Sequence, residues 1–252
     1  MAQSFRSLVL DQVGSTNREA FALAEAGEPG PLWIMARRQS AGRGRADRRW
    51  VSVPGNLHAS LLLQLPNPPG ATPQLSLVTG VAVVDAIRQA TAGGPAGLRL
   101  KWPNDVLIGQ AKCAGILIES LTGAHMATIT IGIGIDLAWH PDDLGRAATD
   151  LAEHGCIVSP ERVLGSLALA MPDWIATWNS GSGFASIRQA WLDRAGRVGE
   201  VCTVNTGQGR IEGTFAGLDA EGALLICDRH GQRRTVTFGD VSLVAAAPQE
   251  TG

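Results

Sequence analysis

Between Leu98 and Leu137 the chain carries three β-type runs in close succession, LRLKWPNDVLIG, KCAGILIES and ATITIGIGIDL. They are short, rich in β-branched residues and joined by glycine-containing turns, so they read as adjacent antiparallel strands. SLVLDQV, LWIMA and NLHASLLLQL add further strands on the N-terminal side. Helices must cover such a sheet, and the sequence supplies three helical regions. In GSTNREAFALAEAG, Thr16 stands as cap with Glu19 at the capping-box position and Gly27 as terminator. Thr72 and Pro73 open a second helix to about Ala92, with Leu75, Val78, Ala82 and Ile87 on one face. A third region runs from Ser159 to about Arg194, split at Gly181 and Gly183, with Trp174, Trp178 and Trp191 as core residues. The expected class is α+β: a mixed, largely antiparallel sheet flanked by helices that gather on one side.

From Gly196 the character changes to short β-type runs separated by NTGQG, LDAEG and DRHGQ, the pattern of a small all-β appendage. The expected division is therefore 1–195 for a main domain and 196–252 for a C-terminal β-barrel. A formal charge of −2 argues against a protein that coats nucleic acid. No apolar run is long enough to cross a bilayer, and MAQSFRSLVL lacks the pattern of a signal peptide. Cys113, Cys156, Cys202 and Cys227 form no paired motif, which fits a reducing cytosol. The five histidines show no metal-ligand spacing, so a protein-held transition metal is not expected.

Charge is concentrated in ARRQSAGRGRADRRW, where six arginines face one acid, Asp47. Gly42 and Gly44 alternate with Arg43 and Arg45 in GRGR, followed by Arg48, Arg49 and Trp50. Arginine on a glycine-rich backbone suits a loop that closes over a multiply charged anion, and a solvated basic loop is the alternative. The segment lacks the lysine and hydroxyl of a Walker loop and fails the dinucleotide fingerprint. Arg45 is the candidate for phosphate contact, and Trp50 could offer its ring to a base. In KWPND, Pro103 stiffens a bend that presents Lys101, Asn104 and Asp105. Asp105 could approach Mg²⁺ through oxygen, Lys101 could face phosphate or support the loop, and a plain turn is the competing reading. Lys112 opens an apolar strand whose Gly115 marks close backbone approach, so its ammonium could be drawn inward against an anion. Gly132 and Gly134 share one face of IGIGIDL, where a flat ligand or another backbone could lie. Ser15, Thr16 and Asn17 begin a helix, a place for a cap or an anion.

In this order, GSTN, Gln39 before GRGR…RRW, KWPND, Lys112 with AGILIE, and GIGI resemble the biotin–protein ligases over nearly the whole chain. The resemblance implies a class II synthetase-like, biotin–lipoate ligase fold with an SH3-like C-terminal barrel. It implies ATP-dependent activation of biotin to biotinyl-5′-AMP, with Mg²⁺ assisting, then transfer to a lysine of a biotin carboxyl carrier domain. Neither step needs a covalent enzyme intermediate; positioning and charge stabilisation suffice. By the family pattern Ser15, Thr16, Gln39, Gly42, Arg43, Gly115 and Gly132 match the biotin side, and Lys112 matches the lysine between carboxylate and α-phosphate. Arg45, Arg48, Trp50, Lys101, Asn104 and Asp136 match the nucleotide side, Asp105 the metal, and Lys112 with Arg45 the catalytic pair.

With unpaired cysteines and no membrane-spanning run, the expected setting is cytoplasmic and without membrane association, and by analogy with relatives that pair through sheet edges a homodimer is a further expectation. Fourteen residues before Ser15 are too few for the DNA-binding domain of some relatives, so no DNA binding is expected. A lipoate-type ligase, or a non-catalytic biotin- or adenylate-binding module, are the alternatives. Two departures stand out. Asp47 replaces a usual glycine and could pair with Arg45 or Arg48. Asp136 replaces an asparagine thought to read adenine, and an ionised carboxylate can only accept hydrogen bonds.

Overall fold

The computed structural model describes residues 5–66, 73–142, 145, 147–207 and 209–243. The chain opens with β1 (Ser7–Val13), α1 (Thr16–Glu25), β2 (Leu32–Gln39) and β3 (Leu57–Pro66). It continues with α2 (Gln74–Ala90), β4 (Leu98–Lys101), β5 (Asp105–Ile108), β6 (Ala111–Thr122) and β7 (Met126–Ile135). α3 (Pro160–Trp178) and α4 (Phe184–Leu192) complete the helices. Last come β8 (Val201–Thr206), β9 (Gly209–Leu218), β10 (Leu224–Asp228), β11 (Arg233–Val236) and β12 (Asp240–Leu243).

The first seven strands form one sheet in the order β1-β2-β3-β7-β6-β5-β4. β1 and β2 are parallel and the other neighbours antiparallel, which makes the sheet mixed as expected. Side chains alternate between its faces. Leu57, Ala59 and Leu61 of β3, with Ile131, Ile133 and Ile135 of β7, join α2 and α3 in the main core. Leu62 and Ile34 point the other way and pack on Ala20 of α1. The one-sided expectation therefore fails for α1. That helix covers only part of its face and leaves the rest open as a ligand surface.

Local signals explain most boundaries. Gly27, at φ 98°, closes α1 in the left-handed region that glycine adopts without strain. At the start of α1, Ser15 takes the cap position and no side chain caps, because the Thr16 hydroxyl turns to Gln39 instead. The capping box does not form. Pro73 precedes α2 as its cap residue, while Thr72 lies outside the described residues. Ser159 caps α3 through the Arg162 amide. Trp178 and Trp191 are fully buried, and Trp174 is half-buried with its indole nitrogen on Asp85.

The C-terminal strands form a five-stranded antiparallel sheet in the order β11-β10-β9-β8-β12, with no ladder between β11 and β12 among the described residues. Phe215, Leu218, Ile226 and Val241 belong to the same apolar cluster as α2 and α4, so the small sheet is packed onto the main one. Arg99 and Glu200 pair at 2.8 Å across the junction, and the Trp102 indole nitrogen donates to the Gly222 carbonyl at 3.0 Å. Through Trp102 the KWPND bend is anchored to the C-terminal sheet.

Candidate active site

Strand register brings distant residues into two rows on the open face. His58 of β3 pairs with Gly134 of β7, Gly134 with Gly115 of β6, and Gly115 with Asp105 of β5. Two residues along, Ser60 pairs with Gly132 and Gly132 with Leu117. The glycines leave hollows that other side chains fill. A Cβ on Gly132 would stand 2.6 Å from Asn17 Oδ1, and one on Gly134 would stand 2.5 Å from the Trp50 indole. Gly115 lies beneath Trp50 and the Lys112 ammonium.

Around the second row the start of α1 builds a polar pocket. Thr16 donates its amide and hydroxyl to Gln39 Oε1 at 2.8 and 3.1 Å, and Ser60 Oγ bonds Thr16 Oγ1 and Asn17 Oδ1. Asn17 Nδ2 donates to Glu119 at 2.7 Å, and Arg43 Nη2 donates to the other Glu119 oxygen at 3.0 Å. Arg43 Nε is buried without a partner, a donor left for a ligand. This narrow pocket is lined by Ser15, Thr16, Gln39, Arg43, Gly132 and Trp50 among others. Gly42 supports it from behind, since a Cβ there would meet the Trp50 carbonyl at 2.7 Å.

A second narrow pocket lies beyond Trp50, lined by Arg49, Trp50, Lys112, Asp136 and Ala148. Asp136 is buried and its Oδ1 accepts from Asn56 Nδ2 at 3.0 Å. Asn56 also accepts the Leu137, Ala138 and Trp139 amides on one oxygen and so fixes the chain after β7. Trp50 was expected on the nucleotide side; its ring is the wall shared by both pockets.

Lys112 is buried, with residues 147–149 running beside it: its amide donates to the Ala147 carbonyl, and the Thr149 amide donates to its carbonyl. The Lys112 ammonium bonds Asp105 Oδ1, while Lys101 Nζ holds Oδ2 at 2.8 Å. Burial alone would raise the Asp105 carboxyl, but Lys112 and then Lys101 outweigh it and hold it well below the usual carboxylate range. The inward-drawn lysine of the sequence reading thus has Asp105 as its anion. The expected metal role of Asp105 meets this pairing directly. With an ammonium on each oxygen, Asp105 does not fit a resident divalent cation. Among the described residues, His140, Asp150 and Glu153 form the one three-residue group with metal-type spacing. It is an ion pair with a turn cap: His140 Nδ1 is 2.9 Å from Asp150, which also accepts the Glu153 amide.

The arginine segment folds as a tight hairpin, with Gly44 and Trp50 amides donating to Arg48 and Gly42 carbonyls. Ala46 and Asp47 take φ 52° and 53°, so the aspartate that replaces glycine occupies the left-handed conformation. Its carboxylate is exposed and lies 3.9 Å from Arg43, not beside Arg45 or Arg48 as anticipated, because the turn points it outward. Arg45 and Arg48 instead meet the C-terminal sheet. Arg48 makes two bonds to Asp240, at 2.7 and 2.8 Å. Arg45 reaches Asn104 Oδ1 at 3.2 Å and the Gly239 carbonyl at 3.4 Å, and lies 5.3 Å from the Phe238 ring centre. Lys101 Nζ also donates to the Val241 carbonyl at 2.9 Å. Residues 238–241 therefore contact three of the anticipated phosphate-side cations. A broad open cleft between the sheets is lined by Arg48, Lys101, Asn104, Asp105, Lys112 and Asp240 among others.

Asn56, His58, Ser60, Glu119 and Asp240 escaped sequence reasoning. His58 and Ser60 did leave a signal: two polar residues at period two inside an apolar strand. The arrangement suits a reaction between an anionic ligand in the polar pocket and a phosphate ester in the second, with cations between them and no nucleophile required. Cys113, the thiol beside the site, is pushed up by burial and by Asp136 and is not a thiolate.

Comparison with known proteins finds relatives over nearly the whole chain. Residues 9–136 match the biotin/lipoate A/B protein ligase family, and residues 198–244 match the biotin protein ligase C terminal domain. A biotin–[acetyl-CoA-carboxylase] ligase of Paracoccus denitrificans is 42% identical over 225 residues, 86% of this chain and 92% of that protein. The bifunctional ligase/repressor BirA of Bacillus subtilis is 33% identical over 92% of this chain and 72% of its own length. Among solved structures, the biotin protein ligase from Aquifex aeolicus in complex with biotin and ATP superposes with a TM-score of 0.79 at 29% identity. That match covers 95% of this chain and 98% of the other.

Proposed function

The chain belongs to the biotin/lipoate A/B protein ligase family, and on that premise we propose that it activates biotin with ATP and passes the biotinyl group to a carrier lysine. The observation that carries this reading is the placement of Lys112. Its buried ammonium opens on the nucleotide-side pocket and the cleft, and it lies 5.8 Å from the centre of the Trp50 ring that bounds the polar pocket. On this reading the biotin ureido group is held by Ser15, Thr16, Gln39 and Arg43, with Gly132 behind it. Its carboxylate then points past Trp50 toward Lys112, where ATP presents its α-phosphate. The carboxylate oxygen attacks phosphorus and pyrophosphate leaves; Lys112 stabilises the negative charge that develops between them. In the second step a neutral lysine amine of a biotin carboxyl carrier domain attacks the anhydride carbonyl and AMP departs. Arg45, Arg48, Lys101 and Asn104 surround the phosphates on this reading, and Mg²⁺ arrives as part of the Mg-ATP substrate.

The match to a biotin-type C-terminal domain favours biotin over lipoate. The four cysteines are free thiols, which supports a cytoplasmic setting. No described helix is long and apolar enough to cross a membrane. β1 is an edge strand of the large sheet, the kind of edge through which two copies could pair. The first test is pyrophosphate release with Mg-ATP: biotin should trigger it and lipoate should not. Preference for lipoate, or biotin binding with no ATP turnover, would refute the assignment.

Two variants probe particular contacts. Asp136→Asn keeps an oxygen for Asn56 and adds a donor for an adenine ring nitrogen, so ATP affinity should hold within about threefold or tighten. A calorimetric loss beyond about tenfold would mean that the carboxylate charge itself is used. Arg45→Gly cuts the links to Asn104, Gly239 and Phe238 that tie the hairpin over the cleft. Biotinyl-AMP should then escape and label unrelated lysines, raising off-carrier labelling by about tenfold. Unchanged intermediate half-life and unchanged selectivity would defeat that role.

A further inference from the structure

We propose that His58 is a positioning residue for this reaction: its Nδ1 holds the Trp50 indole across the Gly134–Gly115 row and so sets the wall between the two pockets. The inference rests on the functional reading above but has its own geometry. Trp50 Nε1 lies 3.3 Å from His58 Nδ1, and His58 Nε2 lies 3.3 Å from the Val53 carbonyl. An indole N–H only donates, so Nδ1 must be the bare acceptor. The ring proton then sits on Nε2, where the Val53 carbonyl takes it. The network thus assigns one neutral tautomer, and an imidazolium would turn a second donor toward the indole. Burial favours the neutral form: His58 is 1% exposed, and desolvation lowers its pKa more than the Val53 carbonyl raises it.

The fold explains why the grip matters. His58, Gly134 and Gly115 stand side by side on β3, β7 and β6, and a ring lying on the two glycines has its nitrogen end at His58. The other end of the ring approaches Lys112. One histidine therefore fixes, through Trp50, a surface of both the biotin pocket and the nucleotide pocket. His58 touches neither ligand on this account. It also holds Val53, which steadies the segment between the hairpin and β3.

The test is a double-mutant cycle with His58→Leu, His58→Asn, Trp50→Phe and the His58→Leu/Trp50→Phe pair, using biotin-dependent pyrophosphate release. Losing the buried bond should raise KM for biotin and ATP by about tenfold in His58→Leu, with kcat within about threefold. His58→Asn, whose Oδ1 can stand in for Nδ1, should restore both KM values to within about twofold or threefold of wild type. The double variant should be no worse than Trp50→Phe, because the histidine acts only through that indole. In ¹H–¹⁵N spectra the indole resonance lost in Trp50→Phe should shift in His58→Leu and return toward its position in His58→Asn. Additive KM effects, or equal impairment of His58→Leu and His58→Asn with the Trp50 resonance unmoved, would overturn the proposal. The indole resonances report the bond whether or not biotin is the substrate. A wild-type enzyme with the expected resonance pattern but no biotin-dependent turnover would sink the functional reading and leave this bond standing.

Discussion

Replacing Lys112 by glutamine should slow biotinyl-AMP formation by about 10²–10³-fold while biotin still binds, because a stabiliser of developing charge in a dry site is worth about 3–4 kcal/mol. Glutamine is the informative change. It can still donate to Asp105 Oδ1 and so satisfies the partner that Lys112 holds. Lys112→Ala would instead leave Asp105 with Lys101 alone, and breaking a buried ion pair costs about 3–5 kcal/mol. A melting temperature close to wild type in Lys112→Gln would assign the lost rate to chemistry. Biotin should still bind through the polar pocket, which Lys112 does not line, with a weaker hold on its carboxylate. Full activity in Lys112→Gln would show that the ammonium serves only to neutralise Asp105.

The second large effect is expected from Gly134→Val. A Cβ at Gly134 already meets three indole atoms of Trp50 within 2.8 Å, and valine adds two methyl groups. The ring must leave the sheet, His58 loses its donor, and both pockets lose their common wall. A fall in kcat/KM of at least ~100-fold is expected, with a stability loss of about 1–3 kcal/mol, typical of overpacking. Gly165→Ala is a fitting control, because a Cβ there meets nothing within 4 Å and the residue lies in α3, on the far side of the large sheet. Near-normal turnover in Gly134→Val would mean that the flat seat of Trp50 is not needed for ligand binding.

The contrast between these two sites also marks what the sequence makes visible. GSTN, GRGR…RRW, KWPND and AGILIE are local strings, and each carries its own chemistry in neighbouring residues. The strands around them follow from β-branched runs and glycine turns. What stayed hidden depends on register between segments far apart. Gly115, Gly134 and His58 form one row only after β6, β7 and β3 pair, and Asn56 meets Asp136 across 80 positions of chain. Asp105 illustrates the ambiguity of a single carboxylate: its type suits a metal, but its neighbours in space are two ammonium groups. Asp240 had no local signal at all. It lies in the C-terminal sheet, 192 residues from the arginine it holds.

The central claim is that one site, shared by the open sheet face, the arginine hairpin and the turn before β12, makes biotinyl-AMP and delivers it to a carrier lysine. Intact-mass analysis of a biotin carboxyl carrier domain incubated with this protein, biotin and Mg-ATP tests it most directly. The account predicts a single biotinyl addition on the carrier lysine, dependent on ATP and strongly slowed in Lys112→Gln. An unmodified carrier alongside pyrophosphate release would contradict the transfer step, and no change in either would contradict the claim as a whole.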